Sequence, residues 1–291
     1  MMNIINSVFE VSESFMNDSK YVNINHDNIF RVSKRMKDSG VKKFEFEHNS
    51  LEDEDEQLIR KLVFMELLGN SINYCYWYGR YDIRPNGSDS VMMYKLMEES
   101  FKKFRNVVSL NEDVVKDYIS LLAEHRFPLL EERSKHLLET LSCSTDIIRE
   151  IFRSKRHVYE PFEVLVKTIP GYSADIFLKR ASLFFIQLNR RFGWYQDSIS
   201  VLPIPADYQV PKMLEYYGCI EYSEGLKERI MNYILIPKNS LEECEIRAAT
   251  ILTSRELSKL TGWTTPDIDS WFWLRRKECS NPFHLTITTD Y

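Results

Sequence analysis

Apolar side chains recur at helical spacing along most of this chain, and glycine is too scarce for the main alternatives. Leu58, Ile59, Leu62, Val63, Met65 and Leu67 repeat at intervals of three and four, as do Leu130, Leu137, Leu138 and Leu141. Ile147, Ile148, Ile151 and Phe152 form a further such segment, followed by DIFLKRASLFFIQLNRRFG, Asp175–Gly193. Only 9 of the 291 residues are glycine, roughly half the usual ~7%. A turn-rich β protein and a glycine-rich phosphate loop both need more. Ser240 with Glu243 and Thr253 with Glu256 fit capping boxes at helix starts. Gly218 and Gly262 stand where helix C-caps belong. Thr265 before Pro266 predicts an N-cap with proline at the first helical position, which puts Asp269 in the first turn. Clean period-two alternation is confined to HLTITTDY, His284–Tyr291, a predicted strand. The expected fold is therefore all-α, one domain over residues 1–291, with at most a short β element near the C-terminus. No repeat or low-complexity tract divides it.

Charge and cysteine usage narrow the function classes. Lys and Arg number 38 against 43 Asp and Glu, a net charge of −5 with a pI near 5.8. Binding long nucleic acids draws on a basic face, so no stable nucleic-acid complex is expected; a small phosphorylated ligand needs only one or two cations. Five cysteines (Cys75, Cys143, Cys219, Cys244 and Cys279) are spread without a CxxC pair. That is the pattern of buried thiols in a reducing compartment, cytoplasmic or nuclear. No stretch reaches the ~18 apolar residues of a membrane span, and Met1–Phe9 has no leader pattern. Six scattered histidines lack metal-ligand spacing, so no metal site is expected.

What carries chemistry is aspartate set among aromatic, proline-marked segments: FGWYQDS (Phe192–Ser198), IPADYQVPKMLEYYG (Ile204–Gly218) and TPDIDSWFWLRR (Thr265–Arg276). Rings that stack on a heterocycle and acids that accept its N–H groups suit a nucleobase site. The same residues also serve as core aromatics (Trp271, Phe272, Trp273) and helix N-caps, and spacing alone does not decide between the two.

The ordered series decides more. INYCYWYG (Ile72–Gly79), FPLLEERSKHL (Phe127–Leu137), FLKRASLF (Phe177–Phe184), ADYQVPKMLEYYGCIEYS (Ala206–Ser223), EECEIRAATI (Glu242–Ile251), DIDSWFW (Asp267–Trp273) and PFHLTITTDY (Pro282–Tyr291) follow one another in this chain. The series resembles the queuosine salvage protein family, the queuosine 5′-phosphate N-glycosidases, from about His48 to Tyr291, leaving 1–47 outside the likeness. The resemblance implies an all-helical fold like that of helix-hairpin-helix DNA glycosylases. It implies an N-glycosidase that hydrolyses queuosine 5′-monophosphate to queuine and ribose 5-phosphate, supplying queuine for transfer-RNA modification, with no metal or organic cofactor; the chain is expected to act as a monomer away from membranes. By the same resemblance the essential carboxylate is Asp269, with Asp207 the competing choice. Substrate contacts fall to His48, Tyr195, Asp197, Asp207 and Trp273, and the 5′-phosphate to Lys179 or Arg180. The chain departs from the family pattern at Ser182, where glutamine is usual, and at Leu274, where an acid often stands. The alternatives are a helical module that binds a modified nucleotide or transfer RNA without hydrolysis, or a glycosidase for another modified purine nucleoside or nucleotide.

Overall fold

A computed structural model describes residues 4–41, 56–73, 89–102 and 112–291. Its described residues are predominantly helical and fall into two compact units. In chain order the helices are α1 (Ile4–Asn17), α2 (His26–Ser39), α3 (Glu56–Ser71), α4 (Asp89–Lys102), α5 (Glu112–Glu124), α6 (Leu130–Arg153), α7 (Tyr159–Thr168), α8 (Pro170–Ser173), α9 (Lys179–Phe192), α10 (Gln209–Tyr216), α11 (Glu224–Met231), α12 (Leu241–Thr261) and α13 (Thr265–Arg275). Two strands, β1 (Val22–Ile24) and β2 (Ile220–Tyr222), pair antiparallel with Asn23 opposite Glu221. No helix of the described residues is long and apolar enough to cross a membrane, and Cys143, Cys219, Cys244 and Cys279 are free thiols.

One unit holds residues 1–49, 156–158 and 175–288. Its centre is α12, against which α1, α2, α10, α13 and β1 pack. Ser240 caps α12 by accepting from the Glu243 amide, and Gly262 closes it at φ 75°, a left-handed conformation that favours glycine. The predicted start at Thr253 and Glu256 is not a start: Thr253 is buried within α12, whose apolar positions run on through Ile246, Ala249 and Leu257. The buried face of α12, continuous through Thr253, Ser254 and Leu257, overrides a four-residue capping signal there. Because the stretch Glu243–Ile251 of α12 is buried, its charged residues Glu243, Glu245 and Arg247 must be satisfied inside the protein. Glu245 accepts the backbone amides of Lys20 (3.0 Å), Tyr21 (2.7 Å) and Val22 (3.1 Å), fixing the entry to β1. Residues 284–291 form no strand. Leu285 makes a single bridge to Leu235, with Ile236 N donating to Leu285 O at 2.8 Å. Pro237, which has no N–H, follows at once and cannot extend the ladder.

The other unit holds residues 50–155, 159–174 and 289–291. Its backbone is the 24-residue α6, which joins the two predicted segments Leu130–Leu141 and Ile147–Phe152 into one helix and packs on α3, α5, α7 and α8. Arg133 is buried there and donates through Nε to Pro128 O at 2.9 Å. Gly171 permits α8 to lie close to α6: a Cβ at that position would stand 2.7 Å from His136 Nδ1.

Candidate active site

Two of the acids highlighted by the sequence, Asp207 and Asp269, lie near enough in the first unit for the charge of one to act on the other. Asp175 organises the start of α9: its carboxylate accepts Phe177 N at 3.1 Å and Lys179 N at 2.9 Å, while Leu178 adopts φ 50°. Lys179 thereby opens α9 facing inward and is fully buried. Asp207 precedes α10 and caps it, Oδ1 accepting Gln209 N at 2.7 Å and Val210 N at 3.3 Å. Its Oδ2 accepts no hydrogen bond within the described residues. Asp207 is 4% exposed. Burial first, and then the charge of Asp269, push its carboxyl above the ordinary carboxylate range, against the opposing pull of Lys179 and the two amides.

Asp269 is held differently. The N-cap of α13 is Thr264, not Thr265, in a capping box with Asp267; Thr265 instead donates its hydroxyl to Leu202 O at 3.0 Å. Asp269 therefore sits one turn inside the helix, beyond the amides that the first turn leaves open. Its charge is met by Arg190, whose Nη2 donates to Asp269 Oδ2 at 2.7 Å and also contacts Ser270 Oγ (2.8 Å) and Pro266 O (3.0 Å). Both partners are nearly sealed from water, at 10% and 4% side-chain exposure.

A buried cation joins these pieces. Arg247 of α12 donates to Asp175 Oδ2 at 2.6 Å, to Glu243 Oε1 at 3.3 Å and, through Nε, to Ala206 O at 2.9 Å. The last bond fixes the peptide immediately before Asp207. Burial opposes the Asp175 charge, but Arg247 and the two amides more than offset it and hold that carboxyl below the ordinary range. His284, buried near Arg247, is pushed down to about 3 by burial and then by that guanidinium, so its imidazole is neutral.

The remaining predicted residues separate. Tyr195 is fully buried at φ 64°, among Phe185 (ring centroids 5.4 Å apart) and Trp194 (6.3 Å). Its phenol has no hydrogen-bond partner among the described residues, and burial pushes its ionisation far up. The left-handed turn at Tyr195 sends Asp197 the other way. Asp197 is exposed, ion-paired with Arg156, and that hydrogen-bonded pairing lowers its carboxyl. The structure does not bring it to the Asp207–Asp269 pair, because its electrostatic neighbours are Arg156 and His157. Replacing Asp197 by alanine should leave KM for a substrate within about threefold, as for other exposed ion pairs; initial-rate kinetics on the variant check this. Trp273, four residues after Asp269, is half-buried beneath the Arg276 guanidinium at 3.9 Å, whereas Trp271 and Phe272 are core. Arg180 is buried like Lys179, which leaves neither open to solvent for an incoming phosphate. His48 lies outside the described residues.

Sequence reasoning missed Arg190 and Arg247. A basic residue in the last turn of α9 reads as a helix-end charge, and nothing local points to an acid 79 positions away. The Glu243–Arg247 spacing of four was legible as a helical pair. Arg275 and Arg276, at the end of α13, stack on Trp271 and Trp273 at 4.2 and 3.9 Å. Among the described residues no group of histidine, cysteine and acidic side chains could hold a metal ion.

Comparison with known proteins bears on what this arrangement serves. The family model described as queuosine salvage protein matches residues 51–288. The chain is 26% identical over 259 residues to a queuosine 5′-phosphate N-glycosylase/hydrolase of Sphaerobacter thermophilus, covering 77% of this chain and 80% of that protein. It is 35% identical over 130 residues to a protein of the same name from Dictyostelium discoideum, 40% of each chain. A third relative of that name, from Mus musculus, is 27% identical over 143 residues, 45% of this chain and 41% of the relative.

Proposed function

We propose, from the premise that this chain belongs to the queuosine salvage protein family, that it hydrolyses the N-glycosidic bond of queuosine 5′-monophosphate, releasing queuine and ribose 5-phosphate. The observation that supports this reading is the buried carboxylate pair of the first unit, one acid neutralised by Arg190 and the other left with an oxygen to act. Cleaving a ribosyl C–N bond builds positive charge at the anomeric carbon and ring oxygen. A fixed carboxylate beside that charge stabilises the transition state more than the neutral sugar, which is the condition for raising kcat.

The geometry favours Asp207 for this role over Asp269, reversing the order drawn from the resemblance. Asp269 Oδ2 is committed to Arg190, and a carboxylate locked in a buried ion pair has little charge to offer a second cation. Asp207 is anchored by Oδ1 alone, and its raised pKa makes it the better acceptor for a proton from the attacking water. Asp269 acts on it through space as a positioning charge, and Lys179 opposes its protonation. A 7-deazaguanine carries carbon in place of N7, so departure of the base cannot be assisted by protonation there. Hydrogen bonds at its other edges must take that part; we assign the unpartnered phenol of Tyr195 to such a bond and the ring of Trp273 to stacking on the base. In the same reading the helices take up an arrangement like that of helix-hairpin-helix DNA glycosylases.

The test is product release. Incubation with queuosine 5′-monophosphate should liberate queuine, resolved by chromatography, while the nucleoside should react more slowly. Equal rates would shift the substrate to the nucleoside, and binding of either without release would overturn the reading.

A further inference from the structure

Two bonds of Arg247 lie on one continuous path through the first unit. Nε donates to Ala206 O at 2.9 Å, the carbonyl of the peptide that leads into Asp207. Nη2 donates to Asp175 Oδ2 at 2.6 Å, and that same oxygen accepts the Lys179 amide at 2.9 Å. One guanidinium and one carboxylate therefore join the backbone that carries Asp207 to the backbone that carries Lys179. The Lys179 ammonium in turn favours the ionised form of Asp207, against burial and the charge of Asp269.

The path needs the shape of a guanidinium. Its donors leave one plane in fixed directions, so Nε and Nη2 reach two acceptors at once while Nη1 reaches Glu243 Oε1 at 3.3 Å. The Phe177 ring lies against that plane, 4.6 Å from the guanidinium carbon, and the Phe177 amide is the other that Asp175 accepts. Arg247 and Asp175 are 1% and 2% exposed, so water does not compete for these bonds. A lysine would keep the positive charge but place it at a single point on a flexible stem.

We propose that Arg247 is a positioning residue for the hydrolysis: through Ala206 O on one side and Asp175 on the other, it holds the Asp207 carboxylate and the Lys179 ammonium in a fixed relation to each other. The inference rests on the reading of Asp207 as the acting carboxylate. What Arg247 supplies is the place of that acid and, by way of Lys179, the pH at which it is ionised. The charges that bear on Asp207 come from Lys179 on α9 and from Asp269 on α13, the latter paired with Arg190. The amides of α10 act on its Oδ1, and α12 reaches it through the Ala206 peptide. Loosening the Lys179 arm weakens the charge that lowers the Asp207 pKa, so that pKa rises.

The experiment measures initial rates on queuosine 5′-monophosphate across pH for the unsubstituted chain and for Arg247→Lys. In the variant kcat should fall about 10–100-fold, the scale of a reacting group displaced by about 1 Å, with KM within about threefold. The rise of rate with pH that marks ionisation of Asp207 should move to higher pH. Lys179→Met, which leaves Arg247 and Asp175 in place, should move that rise the same way, and adding Arg247→Lys to it should move it no further. Glu245→Gln is the comparison for stability alone, since it weakens the same helix at its contacts with Lys20, Tyr21 and Val22. It should lower the unfolding midpoint and leave both kcat and the pH profile of the folded protein unchanged. No queuine release by the unsubstituted chain would sink the hydrolytic reading itself, and full activity in Asp207→Asn would sink the choice of acid. Where release occurs and depends on Asp207, an unmoved profile in either Arg247→Lys or Lys179→Met overturns the positioning role. So does an equal loss of kcat in Glu245→Gln, which would reduce Arg247 to a stabilising contact.

Discussion

Asp207→Asn should lower kcat for base release by about 10²–10³-fold, the scale seen when a single preorganised electrostatic contact to a transition state is removed, with KM changed little. The amide keeps the shape of the side chain and the Oδ1 contacts to Gln209 N and Val210 N, so α10 retains its cap. What disappears is the charge proposed to face the sugar. Single-turnover rates and equilibrium binding of the unreacted nucleotide separate the two effects; activity within a few-fold of the unsubstituted chain would return the role to Asp269. The acid limb of the rate profile gives an independent check. Activity needs the ionised carboxylate, so the rate should rise with pH through a pKa above the ordinary carboxylate range, where burial and Asp269 have moved it. Asp269→Asn removes the like charge, and the limb should move to lower pH.

Arg247→Met should cost about 3–5 kcal/mol of unfolding free energy, the usual consequence of stripping one partner from a buried ionic cluster. Asp175 and Glu243 would remain at 2% and 0% exposure without their common cation. Urea unfolding monitored by tryptophan fluorescence reads this as a lower midpoint. The methionine fills similar volume, so the loss reports uncompensated charge rather than a void. The cluster also sets an acid sensitivity. The Asp175 carboxyl is depressed in the folded state, so its stabilising contribution is present above the ordinary carboxylate pKa and is lost as pH falls through the lowered value. In Arg247→Met that acid-dependent part should shrink.

The helices are legible in the sequence wherever apolar spacing and a terminator agree, as at Ser240 and Gly262 for α12. Spacing misleads where a local motif recurs inside a longer helix: Thr253 looks like a helix start because its hydroxyl and Glu256 match a capping pattern, yet the buried face of α12 through Thr253, Ser254 and Leu257 holds the chain helical past it. β1 and β2 are three residues each, too short to show alternation, and they depend on a pairing nearly two hundred residues apart. The site is legible as a set of acids and not as a division of labour. Asp207 and Asp269 both stand in recognisable segments, but which one is neutralised is decided by Arg190, a residue with no local mark. Asp197 sits two positions after Tyr195, and only the left-handed turn at Tyr195 reveals that the two part company.

The three amides that Glu245 receives from Lys20, Tyr21 and Val22 bear on where this protein can be cut. The portion recognisable as a family begins at residue 51, yet the polypeptide ahead of it covers the helix from which Arg247 reaches the peptide before Asp207. Trimming to the recognisable portion would strand an anion in the interior and bare the flank of that helix. The minimal working enzyme is accordingly longer than its evolutionary signature.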